Sequence, residues 1–261
     1  MIEPLLWMVL AHVVADFLLQ GPRMAADKCA GRPRGYLLHF AAHVLSLALF
    51  THGYISLTMV ILWVVLPAVH LLIDWGKNRF FPPAHPADAA IFLLDQAAHL
   101  LLIFCAWQWA APQPCAPVAL FYETLQAPAG EPLLAQIFPA AALPPLPLVA
   151  VVYGYIVFGG AVLVRKVLDL EPLRLSGPTA AQGDIRQAGR YIGMLERALI
   201  LTLTLAGAFT AITFVLTAKS IARYKDLEHR DFAEYYLVGT LLSTFLAVLG
   251  GLLLNSAASP L

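Results

Sequence analysis

Four apolar stretches in the first hundred residues each hold two ionisable side chains four positions apart: His12 and Asp16, His39 and His43, His70 and Asp74, Asp95 and His99. On an α-helix, residues i and i+4 lie about 40° apart in projection and one turn apart in height, so each pair projects from one face. Five imidazoles and three carboxylates in apolar surroundings are the donor set of a metal centre. Mixed nitrogen and oxygen donors suit Zn, Mn, Fe or Co, and no thiolate stands among the pairs to make a closed structural zinc site. An aspartate at the centre of a membrane helix costs about 2.5–3.5 kcal/mol, and no Lys or Arg falls inside the four stretches to offset three of them. A cation is therefore the expected counter-charge. Eight candidate ligands exceed the four of one tetrahedral zinc, which points to two metals or to one metal with an ordered outer set of hydrogen bonds. A single His on an apolar helix is ordinarily a hydrogen-bonded core residue, but four coincident pairs need another explanation. The other chemistry such a set supports is a proton or ion relay. Bis-His haem ligation needs two axial ligands and gives three aspartates no role.

The elements that must position these groups are membrane helices. The chain has 261 residues, 60% hydrophobic and 12% charged, where a soluble domain carries roughly 25% charged residues. Apolar runs of about 18–22 residues recur, each long enough to cross the hydrocarbon core. The expected fold is all-α, a polytopic transmembrane bundle of about seven helices, at Ile2–Leu19, Leu37–Phe50, Leu57–Trp75, Ala89–Ala111, Leu148–Leu168, Leu195–Thr217 and Tyr235–Leu254. The second run is short for a full crossing. Residues 1–111 read as a four-helix core carrying the His/Asp site, 112–147 as a Pro-rich external loop, and 148–261 as a three-helix region.

Basic residues are retained on the cytoplasmic side of a membrane. Loops one, three and five hold Arg23, Lys28, Arg32 and Arg34, then Lys77 and Arg79, then Arg165, Lys166, Arg174, Arg186 and Arg190, while loops two and four hold none. This predicts an inner-membrane protein of a bacterium with its N-terminus outside and its C-terminus cytoplasmic. All four pairs then lie in the inner half of the bilayer, at one depth. Loop six breaks the pattern, because Lys219, Arg223, Lys225 and Arg230 fall outside. Either Asp226, Glu228 and Asp231 neutralise it in place or one crossing is miscounted.

Zero formal net charge without a dense basic tract speaks against nucleic acid as a partner; the bilayer is the expected one. The first run lacks a basic n-region and a small-residue cleavage site, so it reads as a retained helix. Cys29, Cys105 and Cys115 show no paired spacing. Gln20 continues the face of His12 and Asp16 by a turn, and Gln96 follows Asp95. With Lys28 they are the candidates for orienting a ligand or a substrate phosphate. Lys28, Arg23 and Lys77 form a basic rim on the same side, which plain topology also explains. Glu196 and Arg197 read as a structural ion pair.

The segments AHVVADFLLQ with Lys28 downstream, LLHFAAH, HLLIDWGK and LLDQAAHLL resemble, in that order and over about residues 5 to 105, an uncharacterised bacterial membrane-protein family defined as a domain of unknown function. AGRYIGMLERALI and TAKSIARYKDLEHRDFAEYYLVGTLLS are similar to the C-terminal half of its longer members. The resemblance implies a multi-pass bacterial membrane protein and no particular activity. A more distant similarity, limited to helical H-x-x-x-D pairs, is to membrane-bound metal-dependent hydrolases.

The reading that joins these points is a membrane-embedded metal-dependent hydrolase holding one or two divalent ions. His12, Asp16, His39, His43, His70, Asp74, Asp95 and His99 supply ligands, and one of Asp16, Asp74 and Asp95 is free as a general base. Its substrate would be amphiphilic, such as a phospholipid or polyprenyl phosphate, or a peptide bond in a membrane segment. The alternatives are a proton or metal-ion transporter or channel, and a noncatalytic membrane protein with a structural metal. No G-x-S-x-G, P-loop or H-E-x-x-H is present to suggest another mechanism.

Overall fold

The computed structural model describes residues 2–81, 85–125, 144–170 and 180–258. It is an all-α structure with membrane-length helices and no strand among the described residues. Two compact units divide the chain, Met1–Pro139 and Ala140–Leu261.

In the first unit, α1 (Glu3–Val13) passes into a π-helical stretch, Val14–Leu19, and the chain then bends by 93° into the short α2 (Pro22–Cys29). Extended Gly21 and Pro22 at the first helical positions make the corner, since Pro cannot continue the preceding helix but fits the start of the next. α3 (Pro33–Thr51), α4 (Leu57–Phe80) and α5 (Asp88–Ala110) follow, then α6 (Ala116–Leu125). Ser56 caps α4, its hydroxyl accepting from the Met59 N–H at 3.2 Å. α1 packs on α3 and α5, α3 on α4, and α4 on α5, which closes a ring of four helices. One half of the ring interior is apolar, built on Met8, Ala11, Leu47, Met59, Leu62, Leu66 and Ile103. The other half carries the polar pairs.

The second unit holds α7 (Leu146–Gly154) joined through a π turn, Tyr155–Gly159, to α8 (Gly160–Leu168), then α9 (Ala180–Leu205), α10 (Phe209–Ala222) and α11 (Arg230–Ala258). Here the sixth expected span is corrected. Leu195–Thr217 is not one helix: α9 stops at Leu205, Gly207 takes a positive φ of 70°, and α10 returns alongside α9. The 14 residues of α10 rise about 21 Å, less than the roughly 30 Å hydrocarbon core. The reversal brings Lys219 to Glu196 at 2.6 Å and to Thr240 at 3.0 Å. Arg197 does not form the expected pair with Glu196; it donates to Ser243 Oγ at 3.2 Å and to the Val157 carbonyl, in the π turn, at 2.9 Å. Close packing of α11 needs its glycines. A Cβ on Gly251 would stand 2.6 Å from the Thr204 side chain, and one on Gly250 2.8 Å from Ile156.

Four helical spans are long and apolar enough to cross a membrane, Leu57–Phe80, Asp88–Ala110, Leu146–Leu168 and Arg230–Ala257, with the bent pair Glu3–Leu19 and Pro22–Cys29 as a fifth. α3 reaches 19 residues by starting at Pro33, four residues before the expected start. Of the Pro-rich segment 112–147, Ala116–Leu125 is helical and 126–143 lies outside the described residues, as does Arg174.

Candidate metal centre

All four pairs meet inside the first unit. His12, His39, His43, His70, Asp74, Asp95 and His99 are buried, and the Asp16 side chain is 10% exposed. The closest group is His39, His43 and His70, whose Nε2 atoms gather around one oxygen, Asp16 Oδ1. His43 lies 2.9 Å from that oxygen, His39 3.2 Å and His70 3.4 Å. His39 Nε2 is in turn 3.3 Å from His43 Nε2 and 3.2 Å from His70 Nε2. These are five of the six edges of a tetrahedron. Ligands about 2.0–2.1 Å from a tetrahedral zinc are separated by about 3.3–3.4 Å. Lone pairs converging at such distances repel unless protons or a cation lie between them, and each neutral imidazole has only one N–H to offer. The set could hold one ion. Asp74 Oδ2, 3.4 Å from His39 Nε2 and 3.5 Å from His70 Nε2, borders the His39–His70 edge.

The remaining candidates are arranged differently from the eight-ligand expectation. Gln96 Nε2 donates to Asp16 Oδ2 at 3.3 Å, and an ionised carboxylate only accepts, so Gln96 Oε1 must accept from His12 Nε2–H at 3.3 Å. His12 Nε2 thus keeps its proton, and Gln96 turns Asp16 so that Oδ1 faces the imidazoles. Asp95 and His99 lie outside this tetrahedron and group instead with Asp74, their ligand atoms within 4.8 Å of one another and His99 Nδ1 3.9 Å from Asp95 Oδ2. No Lys or Arg was expected inside the four stretches to offset the aspartates, but two lysines of the basic rim reach them. Buried Lys28 donates to Asp74 and, at 2.7 Å, to Gln20 Oε1. Lys77 Nζ donates to Asp95 Oδ2 at 2.8 Å and Asp74 Oδ1 at 3.1 Å. α4 runs past Trp75 to Phe80, which puts Lys77 inside the helix one turn beyond Asp74. Three carboxylates against two ammonium groups leave one negative charge, at Asp16. One divalent ion with one hydroxide would bring the pocket to neutrality.

The 93° corner explains Lys28. It aims α2 back across α3 and α4, and Gly35 lets it lie close: a Cβ there would stand 2.7 Å from both Asp27 Cβ and the Lys28 nitrogen. Tyr36 straps the helix down, donating its hydroxyl proton to the Lys28 carbonyl at 3.2 Å while accepting from Asn78 Nδ2 at 3.3 Å. Gly35→Ala is expected to push α2 off α3 and to destabilise the fold by about 1–3 kcal/mol, as overpacking does; denaturant unfolding in detergent measures it.

Residues 5–126 match the family model described as "Protein of unknown function (DUF3307)". This part of the chain, just under half of it, is similar to the DUF3307 family. Every side chain of the pocket lies within the DUF3307 match, which extends through α6. No curated protein and no solved structure matches the chain. Two members of the pocket have roles their spacing did not show, Lys77 as a counter-ion and Gln96 as the link between His12 and Asp16. Loss of a hydrogen bond that orients a ligand lowers metal affinity by about 10–100-fold. Gln96→Leu is expected to do so with the four closest donors intact, read by equilibrium dialysis against zinc.

Proposed function

We propose that the protein is a membrane-embedded, metal-dependent hydrolase acting on an amphiphilic substrate of the phospholipid or polyprenyl phosphate kind. The observation that carries this is the near-tetrahedral meeting of His39, His43 and His70 Nε2 with Asp16 Oδ1. A divalent ion held there, Zn, Mn, Fe or Co, would supply an activated water and polarise the ester or phosphoryl oxygen. Hydrolysis of the ester would then return to the leaving oxygen the proton that the water gave up. Asp74 is held by two lysines and Asp16 by the imidazoles. Asp95, whose Oδ1 is buried with no hydrogen-bond partner among the described residues, is the carboxylate left to carry that proton.

A purely structural metal would need only its ligands. Two further carboxylates, two lysines and two further histidines around the same point favour chemistry. A transport path would need polar groups through the other half of the ring. There the apolar cluster of Met8, Leu47, Met59 and Leu62 fills the interior, and buried Thr51 is bound to the Leu47 carbonyl and to Trp63.

The site is read as opening toward the cytoplasmic leaflet of the inner membrane, past Lys77, whose side chain is 27% exposed. The hairpin at Gly207 removes the anomaly in the basic residues. Within the second unit Leu168 lies against Gly239, and Lys219 against Glu196 and Thr240, so Arg165, Lys166, Lys219, Arg223, Lys225 and Arg230 share one end. By the retention of basic residues that end is cytoplasmic, and α11 then runs outward. On this reading the end of α11 lies outside, where seven simple crossings would put it in the cytoplasm.

The test is hydrolysis by purified protein in liposomes, with phosphatidic acid, phosphatidylglycerol and undecaprenyl diphosphate offered in turn. Product formed with divalent metal, abolished by chelation and by Asp16→Asn, is expected. No metal-dependent product from any of the three would overturn the substrate assignment.

A further inference from the structure

On the apolar side of the imidazole cluster lies a cavity of about 20 Å³, enough for about one water-sized occupant. His12, His43, His70 and His99 form its polar wall, and Leu47, Leu66 and Leu102 are among its apolar ones. His39 and Asp16 do not line it. The cavity therefore faces the His43–His70 edge of the donor tetrahedron, the edge opposite the one formed by His39 and Asp16.

His99 is the second observation. Its side chain is 0% exposed, its ring stacks on His70 with centroids 3.9 Å apart, and neither ring nitrogen has a hydrogen-bond partner among the described residues. Buried polar atoms are seldom left unpaired, and each one costs about 1–3 kcal/mol. An imidazole always has one nitrogen that donates and one that accepts. A fully buried ring with both unpaired, on the wall of a cavity of one-water size, calls for a small polar occupant.

We propose that this cavity is the seat of one water or hydroxide, entering the coordination sphere through the His43–His70 edge as a fifth ligand and held by His99. The proposal rests on the metal reading and deepens it. Three imidazoles and one carboxylate hold the ion, and the exchangeable ligand sits toward the middle of the bilayer. The apolar walls admit nothing larger on that side. Substrate would approach from the opposite side, past Lys77, so the ligand in this cavity is not the oxygen that meets it. His99, which the spacing of the pairs grouped with the ligands, is instead the hydrogen-bond partner of the ligand that exchanges.

The experiment uses the full chain in detergent, loaded with Co(II) as the probe. Five-coordinate Co(II) absorbs weakly in the visible and four-coordinate tetrahedral Co(II) several-fold more strongly, so no substrate is needed. The wild-type protein should show the weak five-coordinate spectrum. Leu102→Phe, which fills the cavity, and His99→Leu, which removes the polar partner, should each raise the absorption several-fold at an unchanged ratio of cobalt to protein. A wild-type spectrum already at tetrahedral intensity, or one that neither variant changes, would overturn the fifth position and leave the metal site standing. Protein that takes up no cobalt would overturn the metal reading and this one with it.

Discussion

His43→Ala is expected to lower the affinity for a divalent ion by more than the roughly 10–100-fold that follows loss of an outer hydrogen-bond partner, whereas His12→Ala should stay within that range. The contrast follows from the geometry. His43 Nε2 is 2.9 Å from Asp16 Oδ1 and 3.3 Å from His39 Nε2, at a corner of the tetrahedron. His12 Nε2 donates to Gln96 Oε1 and stands 3.7 Å from Asp16 Oδ2, off the tetrahedron that His43 completes. On an eight-ligand reading the two substitutions would be equivalent. Equilibrium dialysis against zinc, with helical content checked by circular dichroism, separates the two cases.

Lys28→Met should destabilise the protein by about 3 kcal/mol, the lower part of the range for removing one partner of a buried ion pair. Asp74 keeps its bond to Lys77 in that variant, which moderates the loss. Asp74 is 2% exposed and Lys28 5%, so solvent does little to replace the missing ammonium group. The double variant Lys28→Met with Asp74→Leu is expected to recover part of the loss, with a coupling of about 0.5–3 kcal/mol as for other contacting pairs. Denaturant unfolding of the four proteins in one detergent gives the cycle. Additive losses would show that Lys28 is not a counter-ion of the site.

How much of this was legible follows from which signals are local. The spacing of four rewrites itself as one helix face wherever the helix is regular, so His39 with His43 and His70 with Asp74 could be placed before any coordinates. Even Asp16, in a π turn, stayed with its group. Lys28 was not placed, because its position depends on a 93° corner and on Gly35 allowing two backbones to touch. The signals were present in Gly21, Pro22 and Gly35, but they mark a bend without giving its direction. Lys77 was set on the basic rim and not against the aspartates, for a simpler reason. The apolar run ends at Trp75, and the helix continues to Phe80 because its polar end has partners inside the bundle. Gln96 sits next to Asp95, off the face that Asp95 and His99 share, so its reach to α1 appears only when the ring of helices closes.

The hairpin at Gly207 shows the limit from the other side. The residues on both sides of it, Leu195–Leu205 and Phe209–Thr217, are apolar, and hydropathy has no means of telling a continuous span from two helices folded at a glycine. The charges of loop six did register the fault. Lys219 finds Glu196 because the chain turns back at Gly207, whereas the basic residues alone had pointed for a missed crossing to the Pro-rich segment 112–147.

The central claim is that three imidazoles and one carboxylate of the DUF3307-like region hold a single ion. X-ray absorption on purified, metal-loaded protein of measured stoichiometry tests it most directly. The account predicts one divalent ion per chain with three histidine nitrogens and a carboxylate oxygen at about 2.0–2.2 Å. Two ions per chain, or a shell with fewer than two histidines, would contradict it.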